Sequence, residues 1–199
     1  MAGKKRKVTV KRETKETRIT LTLDLDGSGQ ARAATPLGFL NHMLESLGQH
    51  ALFDLSVQAR GDVEIDAHHT VEDLGLVLGE ALNQALGDKK KIHRFGYAVL
   101  PMDEALAQAV VDLSGRPFLD YQVEIPEREQ WEFDANLVPE FFRALVSAGK
   151  FTLHLRLLAG TNYHHSLEAV FKSFARALRQ AVTADPRQKG VPSSKGRLA

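Results

Sequence analysis

The sequence carries one short pattern of metal-binding and acid–base side chains twice. The first copy is His68-His69-Thr70-Val71-Glu72, and the second, 96 residues later, is His164-His165-Ser166-Leu167-Glu168. The apolar positions that follow keep the same register, so that Leu78 corresponds to Phe174. Agreement in both side-chain chemistry and apolar spacing indicates an internal duplication.

Each copy opens a predicted amphipathic helix, in which residues three and four apart share a face. Glu72 can therefore lie near His68 or His69, whereas the two neighbouring histidines diverge by about 100° and should not easily bind the same ion. The two copies supply enough imidazoles and carboxylates for two ions with open coordination positions. Such ligands suit Mn, Fe(II), Co, Ni or Zn, and the residues alone do not choose among these metals.

The duplication also predicts a ligand on the helix before each motif. In the first half this residue is His42, and its counterpart in the second half, 98 residues later, is Glu140. An isolated histidine is more often structural, as we expect for His93 and His154. Two motifs in register, each preceded by a ligand-type residue, favour a metal site.

Basic and hydroxyl side chains outside the motifs are candidates for holding a phosphate. They are Arg94, Arg116, Lys172 and the run Ser193-Ser194-Lys195. Lys172 is the strongest candidate, because it follows Glu168 by one helical turn and shares its face.

The composition is that of an ordinary globular protein. Of the 199 residues, 43% are hydrophobic and 26% are charged, the formal net charge is +1, and there is no cysteine. These values give no argument for a nucleic-acid partner, exclude thiol chemistry, and agree with a reducing, cytoplasmic location. No apolar run approaches the roughly 18 residues of a membrane span, so no membrane association is expected.

Apolar periodicity predicts each half as strand, strand, helix, strand, helix, which is an α+β fold with two helices on one face of each sheet. The other face needs a cover, for which another subunit is a candidate. We expect a basic tail at 1–8 that need not be ordered, half-repeats at 9–93 and 94–186, and a C-terminal tail at 187–199. The expected strands are 9–14, 17–25, 30–35, 52–59, 63–67, 97–100, 105–113, 119–125 and 152–158, and the expected helices are 37–50, 70–86, 136–147 and 166–182.

The motifs resemble those of the imidazoleglycerol-phosphate dehydratase family. The matching stretches are 12–17, 38–44, 66–75, 94–96, 112–117, 164–169 and 192–196. The resemblance implies two duplicated ferredoxin-like (split βαβ) halves and the dehydration of D-erythro-imidazole glycerol phosphate to imidazole acetol phosphate in histidine biosynthesis. It also implies two Mn²⁺ ions per active site and a shell of 24 subunits with sites between neighbours.

The resemblance carries site roles onto individual residues of this chain. The implied metal ligands are His42, His68, His69, Glu72, Glu140, His164, His165 and Glu168. The implied substrate contacts are Glu16, His42, Gln49, His50, Arg94, Arg116, Lys172, Ser193 and Lys195. The chain departs from the usual family pattern at Asn41, where Asp is more common, and at Glu140, where some members have His.

The implied reaction expels the hydroxyl next to the imidazole ring through a metal-bound imidazolate, because a bound cation lowers the proton affinity of its ligand. Glu72 or Glu168 is the expected base for the ring protons, and Glu16 the expected partner of the hydroxyl or its water. One alternative is a dinuclear metallohydrolase of a small phosphorylated substrate. A second is a metal-storage shell, which would not need basic side chains that bind a phosphate.

Overall fold

The computed structural model of the protein describes residues 6–125 and 133–198. Within these ranges the elements are β1 (Lys7–Glu13), β2 (Thr17–Asp24), β3 (Ala31–Ala34), α1 (Gly38–Ala51), β4 (Asp54–Gly61), α2 (His68–Leu86), β5 (Phe95–Met102), β6 (Ala105–Asp112), β7 (Phe118–Gln122), α3 (Leu137–Gly149), β8 (Thr152–Ala159) and α4 (Tyr163–Val182). The strand β1 begins inside the segment 1–8 that was expected to be a tail, and residues 1–5 lie outside the described ranges.

The two halves form two four-stranded sheets with the same topology, in the orders β1-β2-β4-β3 and β5-β6-β8-β7. In each sheet one neighbouring pair is parallel, β3 with β4 and β7 with β8, and the other pairs are antiparallel. The predicted α+β fold with duplicated ferredoxin-like halves is confirmed. In each half three strands precede the first helix, one more than in the predicted order of strand, strand, helix, strand, helix.

The expected extended piece at 63–67 is wrong. The backbone N–H of Ile65 donates to the carbonyl of Asp62 over 2.8 Å, which closes a turn. The side chain of Ile65 is 72% exposed, so burial does not hold this segment in a sheet. The Asp66 carboxylate then accepts the backbone N–H of His68 over 2.7 Å, and α2 begins there, two residues earlier than expected.

Alternation of apolar and polar residues gives each sheet one packed face. In β2, for example, Ile19, Leu21 and Leu23 are buried and the residues between them are partly or fully exposed. The four helices lie between the packed faces of the two sheets and form one continuous apolar core. Burial on both sides explains why these helices carry broad apolar faces.

Helices of opposite halves pack against each other, α2 against α3 and α1 against α4. The first pair approaches closely because α2 has glycines at the contact. A Cβ on Gly75 would lie 2.4 Å from the carbonyl oxygen of Phe141, and a Cβ on Gly79 would lie 2.4 Å from that of Leu145. The helix that precedes each His-His motif in sequence therefore packs against the motif of the other half.

The outer faces of the two sheets differ. In the described residues, the large apolar side chains that are exposed on strands all belong to the second sheet. They are Phe95, Tyr97, Val99, Val110, Phe118 and Leu158. Tyr97 faces Val110 directly across β5 and β6. No helix within the described ranges has the length and apolar character to cross a membrane.

Candidate active site

The packing of α1 on α4 brings together three side chains predicted as metal ligands. Nε2 of His42 lies 3.3 Å from Oε2 of Glu168, and Nε2 of His164 lies 3.0 Å from the same oxygen. His164 and Glu168 are one turn apart on α4, whereas His42 comes from the other half of the chain. One ligand atom from each residue lies within 4.8 Å of the other two.

Positive groups surround Glu168, which is itself buried. Nζ of Lys172, one turn along α4, lies 2.7 Å from Oε1 of Glu168. Burial raises the pKa of Glu168, but hydrogen bonds from Lys172 and His42 outweigh it and hold the pKa below the usual value. Burial and the charge of Lys172 lower the pKa of His50 on α1, so His50 faces the same region. Gln49 is exposed beside His50.

A second, looser group lies where α3 packs on α2. Nε2 of His68 lies 3.8 Å from Oε2 of Glu72, one turn away on α2. Glu140, on the first turn of α3, forms an ion pair with Arg143, which lowers the pKa of Glu140 together with the charge of His68. The two single-ligand positions predicted from the duplication, His42 and Glu140, therefore each lie near the His-His motif of the opposite half.

The second histidine of each motif approaches a different carboxylate from the first. The ring planes are at 89° for His68 and His69 and at 86° for His164 and His165. Nδ1 of His69 lies 3.1 Å from Asp62, and Nδ1 of His165 lies 2.7 Å from Glu104. Both hydrogen bonds raise the pKa of the histidine concerned.

Two further carboxylates approach the other ring nitrogens. Glu16 lies 4.0 Å from Nε2 of His69, and Asp103 lies 3.7 Å from Nε2 of His165. The hydrogen bond from His165, followed by that from the backbone of Asn162, lowers the pKa of Glu104 to about 2. In the described part of the chain, His165 is not in the cluster of His42, His164 and Glu168.

The hydroxyl residue of each motif has a packing role. Thr70 and Ser166 are fully buried. A Cβ on Gly61 would lie 1.9 Å from Oγ1 of Thr70, and a Cβ on Gly160 would lie 2.4 Å from Oγ of Ser166. Glycine at the end of the preceding strand therefore leaves room for the hydroxyl of the motif, so that the first turn of the helix can approach the strand.

Arg94 is the predicted phosphate-binding residue that contacts the C-terminal tail. Arg94 makes two hydrogen bonds to the Asp112 carboxylate, Nε at 2.7 Å and Nη2 at 3.1 Å, and its Nη1 donates to the Pro192 carbonyl over 2.8 Å. This contact fixes the tail just before Ser193. Arg116 follows β6 in a turn and is exposed, as is Lys195.

The cluster of His42, His164 and Glu168 has the chemistry and spacing of a divalent transition-metal site. Imidazole nitrogen and carboxylate oxygen suit such ions. Two ligands at right angles or at the tetrahedral angle around an ion, each with a bond of about 2.1 Å, are about 3.0 to 3.4 Å apart, which agrees with the separations of 3.0 and 3.3 Å found here. In the described ranges, no hydrogen bond or ion pair joins either histidine group to the side chains of the predicted phosphate-binding residues Arg94, Arg116, Ser193 and Lys195.

Comparison with known proteins identifies the family. A family model described as "Imidazoleglycerol-phosphate dehydratase" matches residues 35–178. The chain belongs to the imidazoleglycerol-phosphate dehydratase family. It is 54% identical over 193 residues to the imidazoleglycerol-phosphate dehydratase of Geobacter metallireducens, covering 97% of this chain and 99% of the relative. It is 56% identical to that of Microcystis aeruginosa, covering 97% of this chain and 93% of the relative.

Solved structures of imidazoleglycerol-phosphate dehydratases have the same fold. The Staphylococcus aureus structure is 39% identical with a TM-score of 0.80, and covers 89% of this chain and 99% of that chain. The Pyrococcus furiosus structure is 36% identical with a TM-score of 0.82, and covers 95% of this chain and 100% of that chain. The family resemblance drawn from the motifs is confirmed, and with it the enzyme class, a carbon–oxygen lyase.

The sequence did not predict four carboxylates near these groups: Asp62, Glu104, Asp73 and Asp112. Glu104 and Asp73 bind partners 61 and 56 residues away, so local spacing contains no sign of these pairs. Glu104 had one usable signal. It directly precedes β6, as Glu16 directly precedes β2, and the duplication makes these two positions equivalent.

Proposed function

We propose that this imidazoleglycerol-phosphate dehydratase removes water from D-erythro-imidazole glycerol phosphate in a divalent-metal-dependent reaction, with two Mn²⁺ ions per active site. The observation that carries the metal dependence is the convergence of His42, His164 and Glu168 within 4.8 Å. Because α1 supplies one ligand and α4 supplies two, the fold itself assembles this set. The group of His68, Glu72 and Glu140 supports a second ion.

His69 and His165 would complete the coordination of the metal ions. Each would bind an ion other than the one bound by the first histidine of its own motif, because the two rings of a motif approach different carboxylates. This arrangement supports active sites formed between subunits of an assembly, for which we propose the 24-subunit shell of the family resemblance. We also propose a cytoplasmic location.

Bound divalent cations would lower the proton affinity of the substrate's imidazole ring, which lets the ring lose its N–H proton and carry the resulting imidazolate charge. The ring electrons then favour departure of the neighbouring hydroxyl. A proton would then pass from the next carbon to a carboxylate, the ring nitrogen would take back a proton, and the enol that forms would become the ketone of imidazole acetol phosphate. The overall loss is one water molecule.

The chain's carboxylates divide the proton transfers. Glu168 is held as a carboxylate by Lys172 and two histidines. This favours binding a metal ion, or accepting a proton from the ring, over donating a proton. Glu72 is about half exposed and has only a 3.8 Å approach to His68, so it is freer to exchange protons. Glu16, in the turn before β2, supplies the proton that leaves with the hydroxyl as water.

The group around Arg94 would bind the phosphate. The Asp112 carboxylate and the Pro192 carbonyl fix the guanidinium and the start of the tail. Arg116, Ser193 and Lys195 then add two charges and a hydroxyl on nearby segments. Fixed donors of this kind suit a dianionic phosphate better than mobile surface lysines. Lys172, His50 and Gln49 stand on the α1–α4 side and would contact the substrate there.

The test is an assay on chelator-treated protein supplied with imidazole glycerol phosphate. Re-addition of Mn²⁺ should restore the keto product without release of inorganic phosphate, with Mg²⁺ and Zn²⁺ as controls. Full activity of the metal-free protein would contradict metal dependence. Release of inorganic phosphate would instead support a metallohydrolase.

A further inference from the structure

Two carboxylates outside the expected ligand set hold the second histidine of each motif. Oε2 of Glu104 lies 2.7 Å from Nδ1 of His165, and Oδ2 of Asp62 lies 3.1 Å from Nδ1 of His69. Both contacts are made by the same ring nitrogen, although the two carboxylates come from different places in the two halves. Glu104 lies in the turn before β6, and Asp62 follows β4.

The duplication makes this difference informative. The position equivalent to Glu104 in the first half is Glu16, since each residue directly precedes the second strand of its sheet. Glu16 does not bind Nδ1 of His69 but stands 4.0 Å from Nε2. Asp62 fills the Nδ1 contact instead. Glu104 thus binds Nδ1 of a histidine, while its duplicate Glu16 stays available for the reaction.

The Glu104 carboxylate is fixed independently of His165. It accepts the backbone N–H of Asn162 over 2.8 Å and that of Thr161 over 3.3 Å. The side chain of Asn162 in turn accepts the backbone N–H of His165 over 3.1 Å and begins α4. A carboxylate held by the backbone gives a histidine ring one fixed orientation. A mobile surface ion pair would not do so.

We propose that Asp62 and Glu104 are positioning residues that present Nε2 of His69 and His165 for metal binding. When Nδ1 donates its proton to a carboxylate, the lone pair of a neutral imidazole is on Nε2, and the ring is both oriented and more basic. Nε2 is the nitrogen that faces Glu16 in the first half and Asp103 in the second. The inference rests on the proposed metal dependence. It also singles out Glu16 as the turn carboxylate that is free for proton transfer.

The experiment measures Mn²⁺ affinity rather than turnover. Full-length wild type, Asp62→Asn and Glu104→Gln are stripped of metal and titrated with Mn²⁺, and free Mn²⁺ is followed by electron paramagnetic resonance. An amide can donate to Nδ1 and so favour the wrong tautomer. Each variant should therefore bind one class of Mn²⁺ about 10- to 100-fold more weakly than wild type. The control is Glu80→Gln, a carboxylate exposed on α2 that accepts a hydrogen bond from Gln84 over 2.9 Å.

The melting temperature of the metal-free proteins separates positioning from folding. Glu104→Gln also weakens two backbone contacts, so its metal-free form is expected to melt lower. Asp62→Asn is the decisive variant, because its side chain contacts only His69 among the hydrogen bonds and ion pairs of the described residues. Wild-type Mn²⁺ affinity in Asp62→Asn would overturn the inference. If wild type itself bound no Mn²⁺, the proposed metal dependence would fail first, and the inference with it.

Discussion

Arg94 and Asp112 form a two-point ion pair at the start of the C-terminal tail, with Nε of Arg94 2.7 Å from Oδ1 and Nη2 3.1 Å from Oδ2. The third nitrogen of the guanidinium donates to the Pro192 carbonyl over 2.8 Å. The pair is largely buried, with side-chain exposures of 14% and 21%. The Asp112 carboxylate therefore orients the guanidinium that contacts the tail at Pro192.

Asp112→Asn should weaken phosphate binding while sparing the chemical step. The amide has one acceptor oxygen and no charge, so the guanidinium loses one of its two contacts and its fixed plane. We expect KM for imidazole glycerol phosphate to rise about tenfold, with kcat within about threefold of wild type. Steady-state kinetics measures both values. Asp26→Asn, which removes an exposed partner of Arg6, is the control; an unchanged KM in Asp112→Asn would refute this role.

Asp73 joins α2 to the turn that contains Glu16. Its Oδ1 lies 2.7 Å from Nε of Arg12, and its Oδ2 accepts the hydroxyl of Thr17 over 2.5 Å, where both Asp73 and Thr17 are buried. Asp73→Ala leaves a buried hydroxyl and a guanidinium without their partner, and should lower the free energy of unfolding by about 3 kcal/mol. Urea denaturation monitors the loss. Glu13→Ala, which breaks a pair with Arg18 in which both side chains are exposed, should cost less than about 0.5 kcal/mol. Equal costs would contradict the argument.

The sequence predicted what depends on local periodicity and missed what depends on partners far along the chain. Alternation placed Ile19 and Leu21 on a packed sheet face, and helical spacing placed His164 and Glu168 on one face of α4. The pairing of α1 with α4 was not predictable, because an apolar face does not specify which helix will cover it. The contact between Glu104 and His165 escaped for the same reason, since it spans 61 residues. The prediction for segment 63–67 failed because Ile65, its central apolar residue, is exposed in a turn.

His42→Ala should reduce the metal content by one ion per subunit. His42 is the only ligand that α1 contributes to the cluster with His164 and Glu168 in the described residues. Elemental analysis after dialysis against a low Mn²⁺ concentration should find about one Mn²⁺ per subunit in place of the two proposed. His93→Ala is the matched control, because His93 is exposed and outside the cluster. Retention of both ions in His42→Ala would remove His42 from the ligand set.

The exposed apolar face of the second sheet should be needed for self-association. Tyr97 and Val110 face each other across β5 and β6 and are 68% and 39% exposed. Apolar patches of this kind mark interaction surfaces. Tyr97→Asp combined with Val110→Asp should lower the assembly's mass in light scattering. Thr20→Asp combined with Gln58→Asp places the same two charges at a directly paired position on the polar outer face of the first sheet and should leave the mass unchanged. The same mass in the double variant would exclude this face as an interface.

Asp54 should stabilise the first half in a pH-dependent way. Its Oδ1 accepts the backbone N–H of Ser28 over 2.8 Å and that of Gln30 over 3.0 Å, which fixes the turn between β2 and β3. These two backbone hydrogen bonds lower the pKa of the Asp54 carboxyl below its usual value. A carboxyl with a lowered pKa stabilises the folded state above its unfolded pKa, and this stability is lost as the pH falls through the folded pKa.

Asp54→Ala should therefore unfold more easily than wild type at pH 7, by about 1 kcal/mol for two hydrogen bonds on a solvent-accessible turn. The difference between wild type and variant should shrink as the pH falls below about 4, where the wild-type carboxyl takes up its proton. Urea denaturation at pH 7, 5 and 3 measures the difference. Asp54→Asn, which keeps one acceptor oxygen, should give a smaller difference that shrinks at low pH in the same way, because only the wild-type carboxyl titrates. A difference for Asp54→Ala that stays constant from pH 7 to pH 3 would show that the ionised carboxylate does not stabilise this turn.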